Sequence, residues 1–217
     1  MTLTVEAISD VICPWCFIGK RRLEKAIAAH GGSLKVRWLP FQLNPTMPEA
    51  GISRREYRTQ KFGSWERSQE LDARVIAVGM DEGIDFAFDK VERTPNTLDA
   101  HRLIWLADKE GVQDAVVEGL FVAYFTEGRD ISNKETLLDV VAKVGLDCSK
   151  AEAVLSSDDG IEALKEAEGL SRRHHVDGVP FFIVNGQFHL SGAQQVDTFL
   201  EAFGQALGGS SQPSRSN

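Results

Sequence analysis

Two cysteines separated by two residues, Cys13-Pro14-Trp15-Cys16, stand where an alternating apolar stretch gives way to a helical one. That junction constrains the fold more than any other feature of the chain. Residues 3–8, Leu-Thr-Val-Glu-Ala-Ile, alternate apolar and polar side chains and predict a strand. Ser9 and Asp10 break it. From Trp15 onward, Phe17, Ile18, Leu23 and Ile27 recur near helical spacing until Gly31-Gly32. Leu34 to Phe41 predicts a second strand, closed by Asn44-Pro45 and Pro48. The thiols therefore fall at the loop-to-helix turn of a strand–helix–strand crossover, which should be parallel and right-handed.

The pattern then changes. From Ser53 to His175 almost every segment is helical: Arg67 to Val78, Asn96 to Ala107, Val112 to Phe125, Lys134 to Val144 and Ile161 to His174. Ser132 or Asn133 caps one of these helices. Strand character returns at Val179 to Val184, and Asn185-Gly186 turns it into a hairpin with Gln187 to Leu190. A last helix spans Gln194 to Leu207, and residues 209–217 predict a flexible tail. The expected fold class is α/β, with a mixed sheet built from the two ends. Residues 1–48 and 176–208 form that discontinuous unit, and residues 49–175 form a helical insertion.

The net charge of -8 argues against a nucleic-acid binder, which needs a basic face. Lys20-Arg21-Arg22, followed by Glu24, reads as a solvated helix face. The opening Met1-Thr2-Leu3-Thr4-Val5-Glu6 has neither a basic nor an apolar leader segment, and no window is apolar for the ~18 residues of a membrane span. The expected location is the cytoplasm. Three cysteines, Cys13, Cys16 and Cys148, do not make a disulfide framework. A structural zinc needs four ligands, but one Cys pair and the adjacent His174-His175 lack the spacing. No metal site is expected, and redox chemistry is the better reading of the pair.

That chemistry needs a thiolate. Cys13 falls where loop becomes helix, where unpaired N–H groups and the helix dipole favour a negative sulfur. Cys13 is the expected exposed nucleophile, and Cys16, one turn on, is the more buried resolving thiol that attacks a mixed disulfide formed at Cys13. Pro14 suits the first helical turn, and Trp15 is expected at the mouth of the site. Far downstream, Gly178-Val179-Pro180 opens a strand, where proline is tolerated. A cis bond there would expose the backbone of Val179 to an extended substrate.

Ser9 to Lys20, Ser-Asp-Val-Ile-Cys-Pro-Trp-Cys-Phe-Ile-Gly-Lys, resembles the active-site stretch of the DsbA-like branch of the thioredoxin superfamily. It is most similar to the FrnE-type proteins and the related 2-hydroxychromene-2-carboxylate isomerases and kappa-class glutathione transferases. Leu39-Pro40-Phe41-Gln42-Leu43-Asn44-Pro45, Pro95-Asn96-Thr97, Ala100-His101-Arg102-Leu103, Gly178-Val179-Pro180-Phe181-Phe182 and Ser191-Gly192-Ala193-Gln194 share in the resemblance. It implies a thioredoxin fold with an inserted helical domain, a cis peptide before Pro180, and a cleft lined from Asn96, Thr97 and His101. The isomerases and transferases carry serine where this chain has Cys13, which favours dithiol chemistry here. Strongly oxidising DsbA proteins have a histidine between the cysteines; Pro14-Trp15 offers no cation. The extra C-terminal cysteine pair of some FrnE proteins has no counterpart in this sequence.

The expected function is thiol–disulfide exchange on a protein or small-molecule substrate, with no tightly bound cofactor. One alternative is a glutathione-dependent isomerase or transferase, with glutathione as co-substrate held by Val179 and the Gly192-Ala193 turn. Another is a holdase using the cleft near Trp15 and Phe17. The helical block is large enough to support a homodimer. Cys148 and Trp38, Trp65 and Trp105 read as an incidental thiol and as packing residues. His174 and His175 read as closing a helix.

Overall fold

The computed structural model describes residues 2–208. The tail expected over residues 209–217 lies outside them. The four-stranded sheet has the order β2-β1-β5-β6, from β1 (Leu3–Ser9), β2 (Leu34–Pro40), β5 (Phe181–Val184) and β6 (Phe188–Ser191). β1 and β2 run parallel, with Leu3 opposite Leu34 and Ser9 opposite Pro40. β5 runs antiparallel to β1, and β6 antiparallel to β5. The twofold strand period sorts the side chains. Val5, Ala7, Phe182 and Val184 enter the main core, whereas Ile8, Leu39, Phe181 and Ile183 cluster on the opposite face with Val176.

The crossover helix α1 (Pro14–His30) begins one residue earlier than its apolar pattern shows, because Pro14 takes the first position. Gly31 ends it at φ 67, a left-handed conformation that costs glycine little, with its N–H donating to the Ile27 carbonyl. The closing helix α9 (Val196–Gly208) packs on the same face of the sheet, where Phe182 meets Phe199 edge-on at 4.9 Å.

Between β2 and β5 lie α2 (Arg54–Phe62), α3 (Trp65–Asp81), α4 (Leu98–Glu110), α5 (Gln113–Phe121), α6 (Lys134–Lys143), α7 (Cys148–Leu155) and α8 (Ile161–Arg173). A two-residue ribbon joins β3 (Ile52–Ser53) to β4 (Arg93–Thr94). Asn133, of the two candidate caps, accepts the Glu135 and Thr136 N–H groups. The run expected as one helix from Val112 to Phe125 instead widens into a π-helical turn at Val122–Thr126. There the Phe125 carbonyl accepts the Ala87 N–H and the Ala123 carbonyl accepts the Arg129 N–H, so neighbouring loops take up backbone groups that the helix releases.

The insertion shares its core with the sheet unit. Phe17 on α1 stacks on Phe121 at 5.0 Å and meets Phe86 edge-on at 6.0 Å, so one aromatic cluster joins both parts. Lys20 and Arg22 correct the reading of a solvated basic face, because both are buried. Lys20 lies between Glu24, Asp114 and Glu118, and Arg22 pairs with Glu82 at 2.6 Å. Burial is tolerable because each cation gains carboxylate partners. No helix among the described residues is long and apolar enough to cross a membrane.

Candidate dithiol site

Cys13 is the N-cap of α1, with extended backbone (φ -95, ψ 111), and its carbonyl accepts the N–H of Cys16 at 3.0 Å. Its own N–H donates to the Asp10 carbonyl at 3.0 Å, which shapes the turn between β1 and α1. The Cys13 thiol lies 3.5 Å from the Val179 carbonyl, the thiol donating. The Val179–Pro180 bond is cis. Residues 166 positions apart therefore meet at one sulfur, because β5 lies beside β1 in the sheet.

Cys13 and Cys16 are both free thiols, and their surroundings differ. Cys16 has no exposed surface. Cys13, expected as exposed, is itself only 6% exposed because it packs against the Val179 backbone, though it forms part of a pocket wall. Burial pushes the Cys16 thiol well above its ordinary range, and the neighbouring Cys13 pushes it further. The Ser9 hydroxyl and an Asp10 backbone group offset this only in part. Cys16 thus keeps its proton near neutral pH.

Asp10 holds the turn from beneath. It is fully buried, and its carboxylate accepts the Leu43 N–H at 2.8 Å and faces His101 Nε2 at 3.3 Å. His101 therefore packs behind the turn that carries Cys13 instead of lining the pocket beside it. Thr97 is buried at the start of α4, and its carbonyl accepts the His101 N–H. Asn96 donates to the Met47 carbonyl at 2.6 Å and accepts the Leu98 N–H. Asn96 ties the start of α4 to the loop after β2, and His101 faces Asp10 in the turn after β1. None of Asn96, Thr97 and His101 lines the pocket beside Cys13, which corrects the cleft wall expected from them there. Phe17 is a second correction: only 1% exposed, it belongs to the aromatic core. The Gly192-Ala193 turn lies behind Pro180. Gly192, at φ 81, donates to the Pro180 carbonyl, and the Ala193 carbonyl accepts from Arg22 at 2.7 Å.

Pro14 and Trp15 do line the pocket, and Trp15 is 40% exposed. The pocket, of about 470 Å³, is lined by Cys13 together with residues of α2, α3 and the π-helical turn. Arg54, Tyr57 and Arg58 come from α2, Asp72 and Val75 from α3, and Tyr124 and Phe125 from the π-helical turn. The sequence analysis missed these residues. A signal was present, since Arg54, Arg58 and Lys61 recur at helical spacing and so share one face. Asp72 bridges the two arginines, at 2.7 Å from Arg54 and 2.5 Å from Arg58. Burial pushes the Tyr124 phenol above its usual range, and its hydroxyl donates to the Arg93 carbonyl at 3.1 Å.

Cys148 is exposed as the first residue of α7 and does not line the pocket. His174 follows α8 and packs edge-on against His189 of β6 at 5.0 Å. Among the described residues, no three His, Cys, Asp or Glu side chains converge as metal ligands.

Comparison with known proteins follows the same lines. The sequence model of the DSBA-like thioredoxin domain matches residues 4–204. The Bacillus subtilis protein YwbO is 28% identical over 206 residues, 93% of this chain and 96% of its own length. The crystal structure of a probable DsbA oxidoreductase from Streptomyces coelicolor superposes with a TM-score of 0.89 at 30% identity, covering 99% of this chain and 94% of that one. The cytosolic disulfide reductase DsbM from Pseudomonas aeruginosa, solved with glutathione, shares the fold at a TM-score of 0.66 and 22% identity, covering 93% of this chain and 99% of that one.

Proposed function

The chain belongs to the DSBA-like thioredoxin domain family, and on that premise we propose that it exchanges disulfides through Cys13 and Cys16. The family is one of thiol–disulfide oxidoreductases and isomerases. One observation carries the reading: a thiol at a helix N-terminus, on a pocket wall and beside the Val179 carbonyl, is backed by a fully buried second thiol held protonated.

The two sulfurs have different tasks. The Cys13 thiolate attacks one sulfur of a substrate disulfide, forms a mixed disulfide and expels a substrate thiolate. Cys16 then gives up its proton and attacks the Cys13 sulfur. The second substrate sulfur leaves, and a Cys13–Cys16 disulfide remains. Two electrons have passed from the protein to the substrate. The protonated state of Cys16 delays its attack until the mixed disulfide has formed on Cys13. The backbone of Val179 offers hydrogen bonds to a bound substrate chain.

We place the protein in the cytosol, where the glutathione poise favours the reduced pair and therefore reduction or isomerisation of disulfides. The sulfurs themselves carry the electrons, so the proposed exchange uses no bound cofactor. Glutathione is the proposed co-substrate: two molecules return two electrons to the pair and leave as glutathione disulfide.

Trapping tests this. Cys16→Ser should accumulate a mixed disulfide on Cys13 when mixed with a disulfide-bridged protein, seen as an adduct by intact mass. Cys13→Ser should form none at that site. Equal adducts on both variants, or adducts on Cys148 alone, would overturn the assignment.

A further inference from the structure

The pocket beside Cys13 carries a charge opposite to that of the molecule. The chain has a net charge of -8, yet Arg54, Arg58, Lys61 and Arg74 line the pocket, with Asp72 as the one carboxylate among its described lining residues. Asp72 is shared by Arg54 and Arg58, so one of these two positive charges has no countercharge there. The excess is partly buried, since the side chain of Arg54 is 6% exposed and that of Arg58 15%. Burial, and then the neighbouring Arg54, depress the Arg58 guanidinium below its ordinary range, while Asp72 works the other way. An uncompensated buried charge is costly and is relieved by an anion.

The rest of the wall is apolar or aromatic, including Leu43, Val75, Phe88 and Phe125. The volume of about 470 Å³ lies within the range of small-molecule sites and suits a compact ligand better than a folded partner. Cys13 lines the same pocket. A ligand that satisfies this space has an apolar body, a negative group and a sulfur presented to Cys13.

We propose that this pocket selects small anionic disulfides with an apolar or aromatic body, the anionic group bound by Arg54 and Arg58 while Cys13 attacks the sulfur. The proposal rests on the dithiol reading of Cys13 and Cys16 and names its substrate class. The reaction balances without a further reagent: the dithiol and one disulfide give the Cys13–Cys16 disulfide and two substrate thiols. The cations assist twice. They hold the ligand, and they stabilise the negative sulfur that leaves.

The test uses the full reduced chain and two aromatic disulfides, the dianionic dithiobis(nitrobenzoate) and the neutral dithiodipyridine. Second-order rates of Cys13–Cys16 oxidation are measured for each, and their ratio is divided by the ratio for a free neutral thiol. We expect this normalised ratio to exceed one by about tenfold, as one charge-assisted contact allows, and to fall toward one as salt rises. Arg58→Gln should lower it about tenfold, and Arg58→Lys should lower it less. Arg74→Gln, at the exposed rim, gives a second test that does not disturb the Asp72 bridge, and it should lower the ratio more modestly. A ratio at or below one, as the overall charge of -8 alone would give, overturns the proposal. So does a ratio that ignores both arginine substitutions. If dithiodipyridine itself fails to form the Cys13–Cys16 disulfide, the dithiol reading fails first, and the proposal falls with it.

Discussion

Replacing Phe17 with alanine separates a packing role from a substrate contact. The ring is 1% exposed and stacks on Phe121 at 5.0 Å with 13° between the planes. It also stacks on Phe125 at 6.3 Å and meets Phe86 edge-on at 6.0 Å. The Arg21 guanidinium lies 4.8 Å from its centre. Truncating a buried phenylalanine costs about 3–5 kcal/mol, and three aromatic partners keep Phe17→Ala from the low end, at about 4 kcal/mol. With a urea dependence of about 3 kcal/mol per M for a chain of this size, the midpoint should fall by about 1.3 M. Urea unfolding followed by circular dichroism reads this directly, and an unchanged slope keeps the comparison valid. Below the transition, the folded variant should react with dithiodipyridine within about threefold of the parent rate, a shift of under 1 kcal/mol. A midpoint unmoved from the parent value, together with a large loss of disulfide affinity, would refute the packing argument and return Phe17 to the cleft.

Other consequences of the site follow. At pH 7, iodoacetamide should modify Cys13 and Cys148 before Cys16, with Cys16 slower by more than about tenfold, because only thiolate reacts and Cys16 is both buried and held protonated; peptide mass mapping over time reads the order. The folded value of Cys16 lies above its unfolded value of about 8.5, so its contribution to stability is present below that pH and is lost as pH rises toward the folded value. Urea midpoints of the reduced chain should therefore decline above about pH 8.5, and more steeply than those of Cys16→Ala; parallel slopes would count against the burial argument. Gly19 packs where a Cβ would stand 3.1 Å from both Pro180 Cγ and Phe182 Cζ. Gly19→Ala gains up to about 1 kcal/mol of helix propensity and loses about 1–3 kcal/mol to overpacking, so a net loss near 1 kcal/mol is expected in thermal melting.

Local chemistry made part of this protein readable in advance. The alternation of residues 3–8, the spacing after Trp15 and the Asn185-Gly186 turn each follow from short-range rules, and the crossover and hairpin appear where those rules put them. The placement of Cys13 and Cys16 at the start of α1 was legible for the same reason, since a strand giving way to a helix is a local pattern. The pocket was harder to read. Arg54 and Arg58 belong to a helix whose polar composition suggests solvent, and their burial depends on Asp72, brought in by the next helix. Lys20 misled in the same way, because its partners Asp114 and Glu118 lie on α5, across the insertion. The β3–β4 ribbon is two residues long on each side, too short for any alternation to show. His101 was placed in the cleft, yet its partner is the buried carboxylate of Asp10. For Lys20 and His101 a partner more than ninety residues away decided the burial of a polar side chain, and for Arg54 and Arg58 a carboxylate on the next helix did.

The sharpest test of dithiol chemistry is the redox equilibrium of Cys13 and Cys16. The chain is equilibrated against graded glutathione and glutathione disulfide, quenched with acid, alkylated and read by mass. A reversible two-electron transition confined to Cys13 and Cys16, with Cys148 uninvolved, is the predicted result. Two thiols that stay free across the whole range, or glutathione adducts on Cys13 that Cys16 never resolves, would contradict it.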